Sequence, residues 1–217
     1  YLPSVFAMSL IAGIGLHGQA HAVAVDSELV LLVDVNRAGL SQRQFNTLMD
    51  AYAASFSSAE VLNSIQSGTT GRIAVSLMFY GNATIQQVGI PWMSIANATD
   101  AATFATLANN LTKPVSAGSS APAPALAAAT QSFGTETGGA SNGFESTLQI
   151  IDSAAASVPN NRNSAGVAAA ADAAMAAGVP VVIGTTGLEE RHHWLIDSAA
   201  QAIAVLQTGN TSLGVTL

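Results

Sequence analysis

A purely apolar strand-like run lies within residues 28–36, which read ELVLLVDVN. Five apolar residues follow one another there without a polar break, and this predicts a buried strand of a parallel sheet, because both of its faces must be covered. One acidic residue, Asp34, stands at its carboxyl end. Open α/β sheets bind ligands at the carboxyl ends of their strands, so Asp34 is the first candidate for a functional residue.

The apolar spacing beyond this strand predicts alternating helices and strands. Residues 41–56 carry apolar side chains on one helical face, with Ser41 as the candidate N-cap. Residues 72–81 and 84–93 predict two strands with a short connection, and therefore an antiparallel hairpin at one edge of the sheet. The remaining predicted elements are helices at 100–111, 123–133, 165–178 and 188–201 and strands at 147–152, 180–187 and 202–210. This alternation predicts a doubly wound, mostly parallel α/β sheet with helices on both faces.

The first 25 residues have a different pattern from the rest of the chain. An apolar run at 5–16 is followed by a polar break and by Ala-His-Ala at 20–22, which is typical of a cleavable secretory signal. A transmembrane helix would need about 20 apolar residues, and a buried N-terminal helix is the other alternative. We therefore expect an exported bacterial protein, periplasmic or extracellular, with no stable membrane span once the signal is removed and with residues 26–217 as one α/β domain.

Composition narrows the possible partners. Acidic residues outnumber basic residues by 13 to 6, and Lys113 is the single lysine. Such a chain lacks the basic surface that binds a phosphate backbone, so nucleic acid is excluded as a partner. The absence of cysteine excludes thiolate nucleophiles and thiolate metal ligands. Only 9% of residues are charged, and a surface built from Ser, Thr, Asn and Gln is typical of exported bacterial proteins.

Three segments carry a resemblance to a known family. The run ELVLLVDVNRAGLSQRQFNTLMDAYAASF, the strand GRIAVSLMFYG and the segment FGTETGGASNGFESTLQIID resemble DUF1194, a family of exported bacterial proteins. The resemblance covers about residues 23–179 and implies a von Willebrand factor type A-like fold. Domains of that type commonly hold a divalent cation such as Mg²⁺ in a metal-ion-dependent adhesion site.

The resemblance implies a ligand set that this chain matches in part. Asp34 matches the first aspartate, Asn36 replaces a serine with an amide that can still coordinate, and Ser120 falls at the threonine position. Ala38 replaces a second serine, and Ala156 stands where a second aspartate is expected. A site with one carboxylate has less charge to offset the dehydration of Mg²⁺. We therefore expect weak or absent metal binding at a degenerate site.

The sequence allows an alternative interpretation for each of two acidic residues, Asp34 and Asp152. Asp34 can instead cap the turn or helix that follows its strand. Asp152 is either a substitute metal ligand or a buried carboxylate that is held by hydrogen bonds within its strand.

A second resemblance begins near Gly178. Residues 178–217 are similar to the middle of 4-hydroxy-tetrahydrodipicolinate reductase, a dinucleotide-dependent enzyme, and this implies NADPH contacts at Gly184, Thr185 and Thr186. The glycine-rich loop that should follow the first strand is missing, since the chain reads DVNRAG there. The histidines at 192–193 point about 100° apart on a predicted helix and are interpreted as a solvated face. The chain therefore looks like two α/β pieces joined at a possible seam near residue 178.

Two functions follow from these patterns. The first is an exported, non-enzymatic binding or adhesion module that contacts an unidentified protein or surface ligand. The alternative is a dinucleotide-binding fragment of a reductase-like oxidoreductase, without activity because its catalytic parts are missing. No other cluster suggests catalysis: Glu136 and Glu145 are interpreted as solvated loop residues and Trp92 as a core or rim residue.

Overall fold

The structure is a computed structural model that describes residues 22–36, 40–115, 120–155 and 164–185. Its strands are β1 (Val23–Ala24), β2 (Glu28–Asp34), β3 (Ile73–Tyr80), β4 (Gln86–Ile95), β5 (Phe144–Glu145), β6 (Gln149–Ala155) and β7 (Val181–Thr185). Its helices are α1 (Gln42–Ser57), α2 (Ala59–Gln66), α3 (Ala98–Asn109), α4 (Pro122–Ser132) and α5 (Ser164–Ala176), with a short 3-10 helix at Gly134–Thr137.

The main sheet has the strand order β4-β3-β2-β6-β7. Strand β2 pairs in parallel with β3 on one side and with β6 on the other, while β4 runs antiparallel to β3 at the edge. The predicted doubly wound, mostly parallel sheet and its edge hairpin are both confirmed. Strand β2 is central, so Asp34, at its carboxyl end, lies in the middle of the row of strand ends on that side of the sheet.

Side chains of β2 alternate between two cores. Leu31 and Val33 pack with buried residues of α1 and α3. Val30 and Leu32 face the opposite way and pack with residues of α4 and α5. This accounts for the uninterrupted apolar run, because helices cover both faces of the strand. The alternation also places Glu28 and Asp34, at the two ends of β2, on the face that α4 covers.

Local capping explains where the first helices begin and end. Ser41 forms a capping box with Gln44 and starts α1, as its position before the apolar pattern predicts. Ser58 ends α1, and its side chain accepts from the backbone N–H of Val61 to start α2. Helix α2 is absent from the predicted elements because Ser58 both ends α1 and caps α2, so the two helices follow each other without a connecting loop. Helix α3 starts before the predicted position because Asn97 caps the N–H groups of residues 99 and 100.

Two further features bear on the ends of the domain. Gly178 adopts a φ of +76° and ends α5, with its N–H on the carbonyl of Met175 at 2.8 Å, as the predicted C-cap requires. Strand β1 pairs in parallel with β5, so the folded region includes Val23 and Ala24, which the sequence pattern had grouped with the N-terminal apolar segment. The rest of that segment and the elements predicted at 188–201 and 202–210 lie outside the described residues.

Candidate functional site

Asp34 is the last residue of β2 and is fully buried, with an exposed fraction of 0%. It lies opposite Tyr80, the last residue of β3, in the parallel register. The carboxyl ends of β2, β3 and β6 meet at this edge, so residues from three separate parts of the chain come together around one carboxylate. We call this the Asp34 edge and define it by Asp34, Asn36, Tyr80, Ser120 and Ser153.

Within the part of the chain that the structure describes, two neutral groups donate hydrogen bonds to the Asp34 carboxylate. The backbone N–H of Asn36 lies 2.8 Å from Oδ1, and the hydroxyl of Ser120 lies 2.8 Å from Oδ2. The Asn36 contact is an Asx-type bond across two residues, so Asp34 does stabilise the turn after its strand, as the alternative interpretation holds. The Ser120 contact joins the three residues predicted from sequence into one cluster, with Asn36 only 1% exposed.

Ser120 reaches this position because the end of β3 holds the start of α4. The N–H of Ala121 donates to the carbonyl of Gly81, one residue beyond β3, at 2.9 Å. Helix α4 begins at the next residue, Pro122, whose fixed φ suits the first helical turn. The backbone on the carboxyl side of Ser120 is therefore set by the sheet and by the helix rather than by the serine itself.

Tyr80 and Ser153 belong to the same cluster and were missed at the sequence level. The Tyr80 phenol is hydrogen-bonded to the side chains of Ser153 and Ser120. Burial raises its pKa above the usual range, and the negative charge of Asp34 adds to this shift. Tyr80 therefore remains a neutral phenol at physiological pH. The position of Tyr80 at the end of the strand beside β2 was the available signal, but an aromatic residue at such a position is generally interpreted as a core residue.

Lys113 places a positive charge at this edge. Its ammonium donates to the carbonyl oxygen of Val35 at 3.0 Å, one residue beyond Asp34 along the chain. The sequence alone pointed to Lys113 only as evidence against a basic surface. Its role could not be predicted because the contact joins positions that are 78 residues apart.

The donor atoms at the edge suit a hard divalent cation in type. They are a carboxylate, a hydroxyl and an amide, which supply the oxygen ligands that Mg²⁺ and Mn²⁺ prefer. Within the described residues, no group of three or more His, Cys, Asp or Glu side chains is placed to hold a metal ion. Ala38 and Ala156 lie outside the described residues. The cluster therefore fits a cation through one carboxylate, with less charge than such sites generally use.

Asp152 does not take part in this cluster. It lies in β6 opposite Leu31, about 10 Å before the end of β2, and faces α1 rather than α4. The Tyr52 phenol hydrogen-bonds to its carboxylate, and burial raises the pKa of Asp152. Of its two interpretations, the structure supports the hydrogen-bonded carboxylate and not the substitute metal ligand.

A second buried carboxylate lies at the opposite end of β2. Glu28 is 0% exposed and accepts from Asn142 Nδ2 at 2.5 Å and from Ser146 Oγ at 2.9 Å. Burial raises the pKa of Glu28, and the nearby Glu136 carboxylate adds to the shift. Glu136 itself accepts from the backbone N–H of Ser146 at 3.4 Å, so it helps to fix the glycine-rich segment. This cluster is a structural clamp about 20 Å from Asp34.

The residues of the reductase-like segment are only partly described. Gly184 and Thr185 end β7 and pair with Ala154 and Ala155 of β6. Thr186 and the histidines at 192–193 lie outside the described residues. Strand β7 is two strands away from β2, so Gly184 and Thr185 reach the same edge of the sheet as Asp34 but lie beyond β6.

A family model described as a protein of unknown function, DUF1194, matches residues 24–195. The chain belongs to the DUF1194 family. The match extends past Gly178, beyond the range that the sequence motifs had indicated. The matched range includes all the residues of the Asp34 edge.

Solved structures show the same fold at low sequence identity. A von Willebrand factor type A protein from Catenulispora acidiphila has a TM-score of 0.50 at 11% identity, over 75% of this chain and 34% of that one. Manganese-loaded TRAP protein from Plasmodium vivax has a TM-score of 0.50 at 15% identity, over 78% and 61%. Proximal thread matrix protein 1 from the mussel byssus, with a zinc-occupied MIDAS (metal-ion-dependent adhesion site) motif, has a TM-score of 0.54 at 14% identity, over 77% and 39%. The fold is therefore von Willebrand factor type A-like.

Short matches to a reductase accompany this likeness. The chain is 59% identical over 46 residues to 4-hydroxy-tetrahydrodipicolinate reductase from Alkaliphilus metalliredigens, which is 21% of this chain and 19% of the enzyme. The enzyme from Thermomicrobium roseum is 51% identical over 49 residues, again 19% of its length. The chain thus spans about a fifth of the curated relatives it matches. Separately, no helix among the described residues combines the length and apolar character needed to cross a membrane.

Proposed function

We propose that this chain is an exported, non-enzymatic binding or adhesion module whose ligand contact lies at the Asp34 edge. The observation that carries the proposal is the bond from Ser120 Oγ to Asp34 Oδ2, at 2.8 Å. It brings a loop hydroxyl onto the strand-end carboxylate in a type A-like fold, where ligands of open α/β sheets bind. The ligand is a protein or surface group, since a net charge of −7 disfavours nucleic acid.

The residues at this edge would position a ligand as follows. Asp34 is held in one orientation by Asn36 and Ser120, and the neutral phenol of Tyr80 lies close to the side chains of Ser120 and Ser153. A divalent cation bound there would supply a positive charge that attracts a carboxylate of the partner. Because Asp34 is the one carboxylate of the cluster, we propose a degenerate site with weak affinity for Mg²⁺ or Mn²⁺.

The test measures melting temperature with and without divalent cation. If the dissociation constant is about 1 mM, about 10 mM Mn²⁺ stabilises the fold by about 1.4 kcal/mol. For a domain of this size the melting temperature then rises by about 3–5 °C. Asp34→Ala and the more conservative Asp34→Asn should remove the rise, whereas the exposed control Asp50→Ala in α1 should keep it. A wild-type melting temperature that does not respond to Mg²⁺ or Mn²⁺ contradicts the metal site.

The short reductase matches support a second candidate, an inactive dinucleotide-binding fragment. It predicts NADPH binding that depends on Gly184, Thr185 and Thr186. Fluorescence titration of NADPH against the wild type and a Thr185→Ala, Thr186→Ala double variant tests it. An absence of binding at millimolar NADPH rules out the dinucleotide-binding fragment. If the double variant binds NADPH as tightly as the wild type, the cofactor binds elsewhere on the protein.

A further inference from the structure

The Lys113 ammonium is held at a fixed place beside the Asp34 edge. Its acceptor is the carbonyl of Val35, at 3.0 Å, and Val35 is fully buried. The N–H of Val35 donates in turn to the carbonyl of Tyr80 at 2.8 Å, so the sheet fixes the position of the residue that Lys113 contacts. Val35 follows Asp34 directly in the chain and consecutive Cα atoms are about 3.8 Å apart, so the ammonium lies within about 13 Å of the Asp34 carboxylate.

The carboxylate of Asp34 is buried, and two of its hydrogen bonds come from the neutral groups of Asn36 and Ser120. Buried charges in proteins are generally balanced by a nearby opposite charge. Lys113 is the single lysine of a chain with few basic residues, and the fold brings it to this edge from the segment after α3.

We propose that Lys113 is a resident cation of the Asp34 edge. Its ammonium lowers the affinity of the site for divalent cations and supplies positive charge for an acidic group of the ligand. This inference rests on the proposed function and names the residue that sets the cation preference of the same site.

Electrostatics gives the size of the effect. A divalent cation near Asp34 is repelled by a fixed single positive charge within about 13 Å, in a partly buried environment that screens less than bulk water. Removing that charge is expected to raise divalent cation affinity about tenfold.

The experiment compares Mn²⁺ binding by the wild type, Lys113→Gln, Lys113→Met and Lys113→Arg at low ionic strength, by electron paramagnetic resonance of free Mn²⁺. The two neutral variants should bind about tenfold more tightly than the wild type, and Lys113→Arg should resemble the wild type. Adding Asp34→Asn to Lys113→Gln should abolish the gain. Neutral variants that bind Mn²⁺ no better than the wild type overturn the inference.

Two further readouts separate charge from loop geometry. A charge effect shrinks when the titration is repeated in 0.5 M NaCl, whereas a rearranged loop keeps its effect on affinity. In EDTA, the loss of stability caused by Lys113→Gln should be smaller in an Asp34→Asn background, and equal losses in both backgrounds would count against the inference.

The outcomes also separate this inference from the proposed function. Wild-type Mn²⁺ binding that Lys113→Gln leaves unchanged rejects the role of Lys113 and keeps the metal site. If neither the wild type nor any variant binds Mn²⁺ at millimolar concentration, both the role of Lys113 and the metal site are rejected.

Discussion

Ser120 donates its hydroxyl to a carboxylate oxygen of Asp34 at 2.8 Å, although the two residues are 86 positions apart. The bond ties the segment before α4 to the end of the central strand. Asp34 is fully buried, so its carboxylate has lost hydrogen bonds to water, and the Ser120 hydroxyl replaces one of them. The same contact therefore contributes to stability and assembles the candidate binding edge.

Ser120→Ala should destabilise the protein by about 1–3 kcal/mol, because it removes a donor from a buried carboxylate. Urea unfolding at neutral pH measures the change. Thr112→Ala, an exposed substitution on the segment after α3, is the control and should change the free energy of unfolding by about 0.5 kcal/mol or less. Equal effects of the two substitutions would show that the Ser120 contact contributes nothing specific.

Tyr80 should resist ionisation in the folded protein. Burial and the Asp34 charge raise its phenol pKa above the unfolded value of about 10. Stability from this group is complete below pH 10 and is lost as the pH rises above 10, because only the unfolded phenol ionises readily. Absorbance at 295 nm should show tyrosines that ionise only as the chain unfolds, and Tyr80→Phe should remove one of them. Ionisation of all tyrosines near pH 10 without unfolding contradicts this.

Glu28 should destabilise the fold increasingly as its carboxyl group ionises. Burial raises its folded pKa above the unfolded value of about 4.5, so the stability linked to the proton is complete below about pH 4.5 and is lost as the pH rises through the folded pKa. Glu28→Gln cannot ionise, so its free energy of unfolding relative to the wild type should increase with pH across this range. Urea unfolding between pH 4 and pH 7.5 measures the two curves, and parallel curves would refute the prediction.

The contact between α1 and α3 depends on an aromatic pair. The rings of Phe56 and Phe104 lie 4.5 Å apart between centroids, and Phe104 is fully buried. Phe104→Ala should cost about 3–5 kcal/mol through lost burial and a residual cavity. Leu107→Ala on the same helix is a suitable control, because Leu107 is 42% exposed and its truncation should cost well under half as much. Thermal or urea unfolding measures the stability of both variants. Similar losses of stability would show that Phe104 is no more important to the core than Leu107.

The sheet was predictable because its signals are local. The apolar run of β2, the serine before α1 and the glycine after α5 each act on neighbouring residues, and the structure confirms all three. Helix α2 escaped because its start depends on Ser58, which also ends α1. The pairing of β1 with β5 escaped because two-residue strands have no periodicity to detect.

The candidate site was predictable only where a motif marked it. Asp34 was identified from its place at the end of an apolar strand, and Asn36 and Ser120 by resemblance. The structure brings the three together, while their role in binding a ligand stays a prediction. Tyr80 and Lys113 join the same edge through contacts between distant parts of the chain, and their residue types alone do not suggest a site. Register decides such contacts: a residue one position along β6, Asp152, faces the opposite side of the sheet from Ser153.

The most direct test of the central claim maps where Mn²⁺ binds. Paramagnetic broadening of backbone amide signals should be strongest at the Asp34 edge, including Tyr80, Ser120 and Ser153, and absent in Asp34→Asn. Glu28 lies at the other end of the same strand, about 20 Å away, and serves as an internal reference whose signals should broaden far less. Broadening that centres on the Glu28 end, or that spreads evenly over the acidic surface and survives Asp34→Asn, would contradict a binding site at the Asp34 edge.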